Sequence, residues 1–286
     1  MPGPDATDPD VALSQLAPEA KAQWAQSFGE VAPHYERYRP GPPAAAVDWL
    51  LPGRVDRAVD LGAGTGALTR LLVERADEVV AVEPDDRMRS VLVAEVPGVR
   101  TMAGRGESIP LPDASADAVV ASSSWHWMDP VPALTEVGRV LVPGGVLGVL
   151  WSGPDPEGPF LAQARAILAP TSEQTPAAAG STLEQDGPLA TVLSAARRPD
   201  STLEIPAGVP FHQPEEESFR WDVALNADDL VGLLGTFSWV ITMSEDERQR
   251  LFADTRRLLR QHLGVEGDVT VDVTFRCVAW RTHRQT

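Results

Sequence analysis

The middle of the chain alternates between two hydrophobic periods. Short apolar runs, RAVDLG and EVVAVEP, have the length and composition of buried strands. Each run is followed by a segment whose apolar residues have helical spacing, ALTRLLVERA and then DDRMRSVLVAEV. The alternation continues through the apolar runs VRTMAG, DAVVASSS and VLGVLWSG. Because such alternation builds a parallel sheet with helices on both faces, the pattern predicts an α/β fold.

The regions on either side of this core follow other patterns. The acidic, proline-rich N-terminus predicts a disordered arm. The next segment, WAQSFGEVAPHYERYRP, predicts short helices that Pro33 keeps separate. After the last core strand, a long stretch rich in Pro, Ala and Gly predicts an inserted cap, and its acidic run PEEESF is interpreted as a solvated turn.

The C-terminal region regains a clear pattern. SEDERQRLFADTRRLLRQHL predicts a helix that begins with a capping box of Ser244 and Glu247. VTVDVTFRCVAW alternates like a strand and is placed at an antiparallel edge of the sheet. The chain is therefore divided into five segments, which are a disordered arm (1–18), an N-terminal helical lid (19–40), an α/β core (41–153), an insertion or cap (154–240) and a C-terminal helix with the edge strand (241–286).

A glycine-rich loop, VDLGAGTGALT, lies between the first core strand and the helix that follows it. Glycine allows the backbone to turn sharply and to approach a ligand closely. Asp60 ends the first strand, and Glu83 ends the second. An acid at the tip of the second strand suits hydrogen bonding to both hydroxyls of a ribose. The loop therefore predicts a nucleotide-like ligand at the carboxyl ends of the strands.

The charge around this loop indicates which kind of ligand fits. With Ala67 the loop also satisfies the pattern GxGxxA, so a dinucleotide site has to be considered. A pyrophosphate requires a helix N-terminus and positive charge, whereas Asp60 stands at the entrance and Arg70 lies a full turn into the helix. An acid in this position favours a ligand that carries an ammonium group.

Four motifs in order resemble the class I S-adenosylmethionine-dependent methyltransferases: VDLGAGTG, VVAVEPDDRM, GESIPLPDASADAVVASSSWHW and EVGRVLVPGGVLGVLW. They extend over residues 55–153. SFGEVAPHYERYRP and GTFSWVITMSEDERQRLF resemble the methyltransferase 11 branch, which includes trans-aconitate methyltransferase-like proteins. The resemblance implies a Rossmann-like, doubly wound, mostly parallel sheet with an antiparallel edge strand, an N-terminal helical lid and an inserted cap. It also implies S-adenosyl-L-methionine as the cofactor and S-adenosyl-L-homocysteine as its product.

The resemblance assigns a cofactor site residue by residue. The glycine loop would line the methionine part, Glu83 would hold the ribose, and the lid would fold over the cofactor. Arg105 departs from the small polar or acidic residue of many relatives, so Glu107 or backbone groups are expected to meet the adenine. The implied cofactor-binding residues are Tyr35, Arg39, Asp60, Gly62, Ala63, Gly64, Gly66, Glu83, Pro84, Gly106, Glu107 and Ser122.

The stretch SSSWHWMDP follows the fourth core strand, where the family brings cofactor and acceptor together. His126 has the intrinsic pKa range of a general base, which is needed only if the acceptor arrives protonated. A contact to substrate or cofactor and a purely structural role remain open for this histidine. Trp24, Trp125 and Trp127 are the residues expected to contact the acceptor, and the cap at 154–240 is expected to contribute to its pocket.

The amino-acid composition limits which classes of partner the protein is expected to bind. The net charge is −17, from 41 acidic and 24 basic residues, and it repels nucleic acid phosphates and anionic membranes. Cys277 is the only cysteine, which excludes an internal disulfide, and the scattered histidines predict no metal site. The N-terminus is unlike a signal peptide, and no apolar run reaches the length of a membrane span. We therefore expect a cytoplasmic monomer or homodimer.

The sequence favours in-line methyl transfer to O, N or C of a small molecule. The segment SSSW stands where amino-methylating nucleic acid enzymes carry an Asn- or Asp-Pro-Pro-aromatic motif. The alternative is a protein that binds S-adenosylmethionine without methyl transfer, either as a regulator or as an enzyme that uses the sulfonium for cyclisation or rearrangement. The fold by itself does not separate these functions.

Overall fold

The computed structural model describes residues 29, 31–168, 203–241 and 243–286. The predicted arm at 1–18 and Trp24 lie outside these residues. The described strands are β1 (Val55–Leu61), β2 (Ala76–Val82), β3 (Arg100–Met102), β4 (Ala116–Ser122), β5 (Leu141–Pro154), β6 (Glu215–Leu225) and β7 (Val271–His283). The described α-helices are α1 (Ala32–Tyr38), α2 (Ala44–Leu50), α3 (Thr69–Leu72), α4 (Asp86–Glu95), α5 (Pro130–Val140), α6 (Pro159–Leu168), α7 (Ala227–Leu234), α8 (Ser238–Ile241) and α9 (Glu245–Leu258).

The strands form one seven-stranded sheet in the order β3-β2-β1-β4-β5-β7-β6. The pairs β3–β2, β2–β1, β1–β4 and β4–β5 are parallel, as the alternation of strands and helices predicts. The strands at the β6 edge are antiparallel. The prediction of a Rossmann-like, mostly parallel α/β sheet is therefore confirmed.

The edge of the sheet differs from the prediction. The C-terminal strand β7 lies between β5 and β6, so β6 is the outermost strand. The run EEES, interpreted as a solvated turn, is the start of β6. Its acidic side chains are compensated by β7, because Trp280 Nε1 donates to Glu216 at 2.8 Å and Arg281 pairs with Glu215. Cross-strand pairing of this kind is not visible in a local pattern of charges.

The described residues divide into two compact units. The first unit contains residues 29, 31–152, 203–219 and 276–286, and the second contains 153–168, 220–241 and 243–275. The core of the first unit is formed by the apolar residues of β1, β2, β4 and β5 with one face of α5. The second unit has its own core, in which the rings of Trp221 and Phe275 lie 5.5 Å apart.

Local caps determine where several helices begin. The carboxylate of Asp85 accepts the backbone N–H groups of Arg87 and Met88, and this N-cap starts α4 directly after the second core strand. Ser244 and Glu247 form the predicted capping box of α9. The cap at Asp85 fixes the backbone that follows β2, next to Glu83.

Candidate active site

The glycine loop follows β1 and takes left-handed backbone angles at three positions. Gly62, Gly64 and Gly66 have φ values of 70°, 56° and 96°. A Cβ at Gly62 would lie 2.6 Å from the Cβ of Ser124, and a Cβ at Gly66 would lie 3.0 Å from Leu92 Cγ. A Cβ at Gly64 would meet nothing within 4 Å. Gly62 and Gly66 are therefore required by the protein's own packing, whereas Gly64 faces open space that a ligand can enter.

Asp60 is a buried carboxylate with an unused oxygen. Its side chain lies on β1 and is 1% exposed. Oδ2 accepts a hydrogen bond from Thr69 Oγ1 at 2.6 Å, whereas Oδ1 has no hydrogen-bond partner among the described residues. Burial raises the pKa of Asp60 to about 7, and the neighbouring charge of Glu83 acts in the same direction. A buried acceptor without a partner is costly, so this site favours a ligand that donates a hydrogen bond or carries positive charge.

Glu83 joins the glycine loop to the start of α4. It directly follows β2 and is 8% exposed. Its Oε2 accepts the N–H of Gly64 at 2.9 Å, and its Oε1 accepts the N–H of Asp85 at 3.0 Å. Burial raises the pKa of Glu83, and these two backbone donors oppose that shift. Each carboxylate oxygen keeps a further lone pair, so Glu83 can accept two ligand hydroxyls as well.

The segment between β3 and β4 is fitted closely against the loop that follows β4. Gly106 is buried, and a Cβ there would lie 2.3 Å from Met128 Sδ. Glu107 Oε1 accepts the N–H of Asp129, the N-cap residue of α5, at 2.7 Å. Glu107 therefore holds the start of a helix, which is a contact that the sequence does not indicate. Pro84, the residue after Glu83, is exposed.

The loop after β4 gives its two tryptophans different environments. Ser122 ends the strand, and Trp125–Trp127 form a single 3₁₀ turn. Trp125 packs against the core of the first unit, whereas His126 is exposed. The rings of His126 and Trp127 lie 4.8 Å apart. Trp125 is thus held by the core, whereas Trp127 lies against the exposed His126.

Two residues of this loop were missed by the sequence interpretation. Ser124 fills the space beside Gly62 and donates to the carbonyl of Leu61 at 2.8 Å. Met128 is buried and lies against Gly106. They flank the 3₁₀ turn of Trp125–Trp127, so this turn is fixed at both ends to loops that carry predicted cofactor residues.

The remaining predicted site residues belong to the N-terminal lid and to the glycine loop. Tyr35 lies on α1 and is partly buried, and Arg39 donates to the carbonyl of Ser152 at 3.3 Å. Ala63 is buried and packs with Ala81 and Leu92. Trp24 lies outside the described residues. The first unit thus contains every predicted cofactor residue, and all of them are described.

The described part of the chain contains neither a cluster of metal-binding side chains nor a membrane-spanning helix. No group of three or more His, Cys, Asp or Glu side chains there could hold a metal ion. No helix within 29, 31–168, 203–241 and 243–286 is both long and apolar enough to cross a membrane.

Comparison with known proteins identifies the family. A profile described as "Methyltransferase domain" matches residues 59–149, from β1 to β5. An uncharacterized methyltransferase of Mycobacterium tuberculosis is 37% identical over 236 residues, which cover 82% of this chain and 86% of that protein. The demethylmenaquinone methyltransferase of Thermus thermophilus is 36% identical over 152 residues, covering 46% of this chain and 67% of that protein. The chain belongs to the class I S-adenosylmethionine-dependent methyltransferases.

A solved structure supports the same assignment. A proposed type II methyltransferase from Anaeromyxobacter dehalogenans is 25% identical, with a TM-score of 0.52, and the match covers 86% of this chain and 98% of that one. The protein is therefore a methyltransferase in sequence and in fold, and S-adenosylmethionine is the methyl donor of its family.

Proposed function

We propose that this enzyme transfers the methyl group of S-adenosylmethionine to O, N or C of a small-molecule acceptor by in-line displacement. The observation that carries the proposal is the buried Oδ1 of Asp60, which has no hydrogen-bond partner among the described residues and lies at the end of the strand that leads into the glycine loop. The cofactor's ammonium group is a donor that would satisfy this oxygen. Glu83, with lone pairs left for two hydroxyls, would hold the ribose. These residues fit the cofactor of the family.

Methyl transfer requires the protein mainly to position the donor and the acceptor. When bound, the cofactor supplies a methyl group on a sulfonium, which is already a strong electrophile. The protein has to align the acceptor behind that methyl group, at about 3 to 3.5 Å and nearly in line, and to exclude water. Asp60 and Glu83 would fix the two ends of the donor, and Ser122, at the tip of β4, would border its centre. His126, exposed on the loop after β4, would accept a proton from an acceptor that arrives protonated.

A small acceptor is favoured over nucleic acid by charge. The net charge of −17 repels a phosphate backbone. The segment at the end of β4 is SSSW, without the Asn- or Asp-Pro-Pro-aromatic motif of amino-methylating nucleic acid enzymes. The alternative without methyl transfer has no specific observation in its favour, whereas the matched relatives are methyltransferases.

A methyl-transfer screen tests this proposal. The purified enzyme is incubated with methyl-labelled S-adenosylmethionine and separate panels of small carboxylates, phenols, amines and enolisable carbonyl compounds, with duplex DNA and tRNA in further arms. We expect label in one small-molecule class, together with release of S-adenosylhomocysteine in equal amount. Label in DNA or tRNA alone would overturn the proposed acceptor class. Cofactor binding without label in any arm would favour the non-transferring alternative.

His126 is the proposed contributor to acceptor chemistry. We expect His126→Ala to lower kcat at least about tenfold on the acceptor found by the screen, because a positioned base assists proton removal. The dissociation constant of S-adenosylhomocysteine should stay within about threefold, since the cofactor contacts lie on other residues. His212→Ala, a second exposed histidine of the first unit, is the matched control. An unchanged kcat in His126→Ala would remove this residue from the reaction.

A further inference from the structure

The two ends of the described N-terminal segment lie against the loops that carry the proposed cofactor site. At one end, a Cβ on Gly29 would lie 2.4 Å from Asp85 Oδ2 and from Arg87 Nε, so this glycine fits directly against the side chains at the start of α4. At the other end, a Cβ on Gly41 would lie 3.3 Å from the Cβ of Ala67 in the glycine loop. Helix α1 stands between these two contacts along the chain.

Helix α1 itself has little apolar anchorage. It has seven residues, and Ala32 is its only buried one. A helix this short is marginal in water unless tertiary contacts hold it. Within the first unit, α1 contacts α4. The position of α1 must therefore depend on polar contacts more than on buried area.

One arginine supplies such a contact. Arg70 lies on α3, four residues after Gly66, and its guanidinium donates to Glu36 Oε1 on α1 at 2.7 Å. A second, longer contact of 3.8 Å joins Arg70 to Glu95 at the end of α4. The Glu36 side chain is 17% exposed and that of Glu95 is 48% exposed, so the pair with Glu36 is the less solvated of the two. Arg70 thus links α1 to the helix that begins at the glycine loop.

We infer that Arg70 is a positioning residue for the cofactor, acting through Glu36. Its ion pair holds α1, and with it Tyr35 and Arg39, in place beside the glycine loop, and this slows release of the cofactor. The inference rests on the proposed cofactor site. It also explains why the basic residue nearest to the glycine loop is not available to a phosphate, since its charge is committed to two carboxylates.

The surroundings of the pair make this contact sensitive to salt. A groove of about 610 Å³ lies between α1 and α4 and is lined by Pro33, Glu36, Arg37, Ser90, Val91, Ala94 and Glu95. Water and ions reach the Glu36 side of the ion pair through this groove. Screening should therefore weaken the contact as ionic strength rises.

The test compares release of S-adenosylhomocysteine from Arg70→Gln, Arg70→Lys and Glu95→Gln with release from the wild type, in stopped flow at low salt. We expect Arg70→Gln to release the ligand about three- to fivefold faster, as loss of one partly buried ion pair predicts. Arg70→Lys should recover most of the difference. Glu95→Gln, which removes only the longer contact, should stay close to the wild type. The gap between Arg70→Gln and the wild type should narrow at high salt.

Chymotrypsin gives a second readout that does not need the cofactor. Both tyrosines of the chain, Tyr35 and Tyr38, lie on α1. Cleavage after these residues should be faster in Arg70→Gln than in Glu95→Gln. Equal release and equal cleavage in the two variants would overturn the inference. If the wild type does not bind S-adenosylhomocysteine at all, the proposed cofactor site fails, and cleavage rates that still differ would show that Arg70 holds α1 without serving a cofactor.

Discussion

Asp60→Asn is expected to stabilise the ligand-free protein above neutral pH. Burial raises the pKa of Asp60 from 3.8 to about 7. A carboxyl whose pKa is raised by folding contributes stability that is fully present below about pH 4 and is lost as the pH rises through about 7. Asparagine has nearly the same shape and does not ionise. At alkaline pH the variant therefore avoids a penalty on the order of 4 kcal/mol.

Thermal melting over a range of pH measures this effect. The difference in Tm between Asp60→Asn and the wild type should be positive at about pH 8 and should shrink toward about pH 5, where the wild-type carboxyl is protonated. Bound cofactor has to be removed first, because a ligand that binds only the folded state also raises Tm. Asp77→Asn is the matched control, since that carboxylate lies at the start of β2 with its side chain 66% exposed. Identical melting of Asp60→Asn and the wild type at alkaline pH would contradict the prediction.

The same substitution should weaken cofactor binding. Losing a hydrogen bond to a charged group is expected to lower affinity for S-adenosylhomocysteine by about 10- to 100-fold. Wild-type affinity should also fall as the pH drops below about 7, because a proton then competes with the ligand's ammonium group for the Asp60 carboxylate. Calorimetry should show this pH dependence in the wild type and not in Asp60→Asn. A variant that gains stability and keeps its affinity would separate Asp60 from the ligand.

The parallel part of the sheet and the glycine loop could be predicted because their signals are local. RAVDLG and EVVAVEP each contain the apolar residues that make a buried strand, and the loop between β1 and α3 carries its own glycines. The closeness of the acids at the ends of these strands could be predicted as well, because parallel strands bring their carboxyl ends to one edge of the sheet. That Asp60 and Glu83 lie together could therefore be predicted without any knowledge of long-range contacts.

The features that could not be predicted depend on residues far apart in the chain. β6 begins with EEES, and its glutamates are tolerated in a strand because Trp280 and Arg281 lie opposite. Ser124 fits beside Gly62 although 62 positions separate them, and Met128 fits against Gly106. Glu107 was assigned to the adenine by resemblance, and its contact with the N–H of Asp129 appears only once the two loops meet. A single sequence shows each partner of such a pair without showing the pairing.

Two glycines of the same loop should differ in how much stability an alanine costs and in whether it affects cofactor binding. Gly62→Ala adds a Cβ at a φ of 70° and 2.6 Å from the Cβ of Ser124. Backbone strain and the collision together should destabilise the protein by about 2 to 4 kcal/mol. Gly64→Ala adds a Cβ at a φ of 56° into open space, so only the strain remains, at about 1 to 2 kcal/mol. That added methyl group would instead occupy the space proposed for the cofactor.

A double-mutant cycle separates the collision at Gly62 from the strain. Ser124→Gly removes the Cβ that the new side chain would meet, so the pair Gly62→Ala and Ser124→Gly should be less destabilised than the sum of the single changes by about 1 to 2 kcal/mol. Gly64→Ala should show no coupling with Ser124→Gly. Chemical denaturation gives the stabilities, and calorimetry with S-adenosylhomocysteine gives the affinities. In Gly64→Ala, the loss of binding free energy for S-adenosylhomocysteine should exceed the loss of unfolding free energy, because the added Cβ meets the ligand and no protein atom. Additive effects at Gly62, or full affinity in Gly64→Ala, would contradict the division of the loop into one glycine that packs against the protein and one that faces the cofactor.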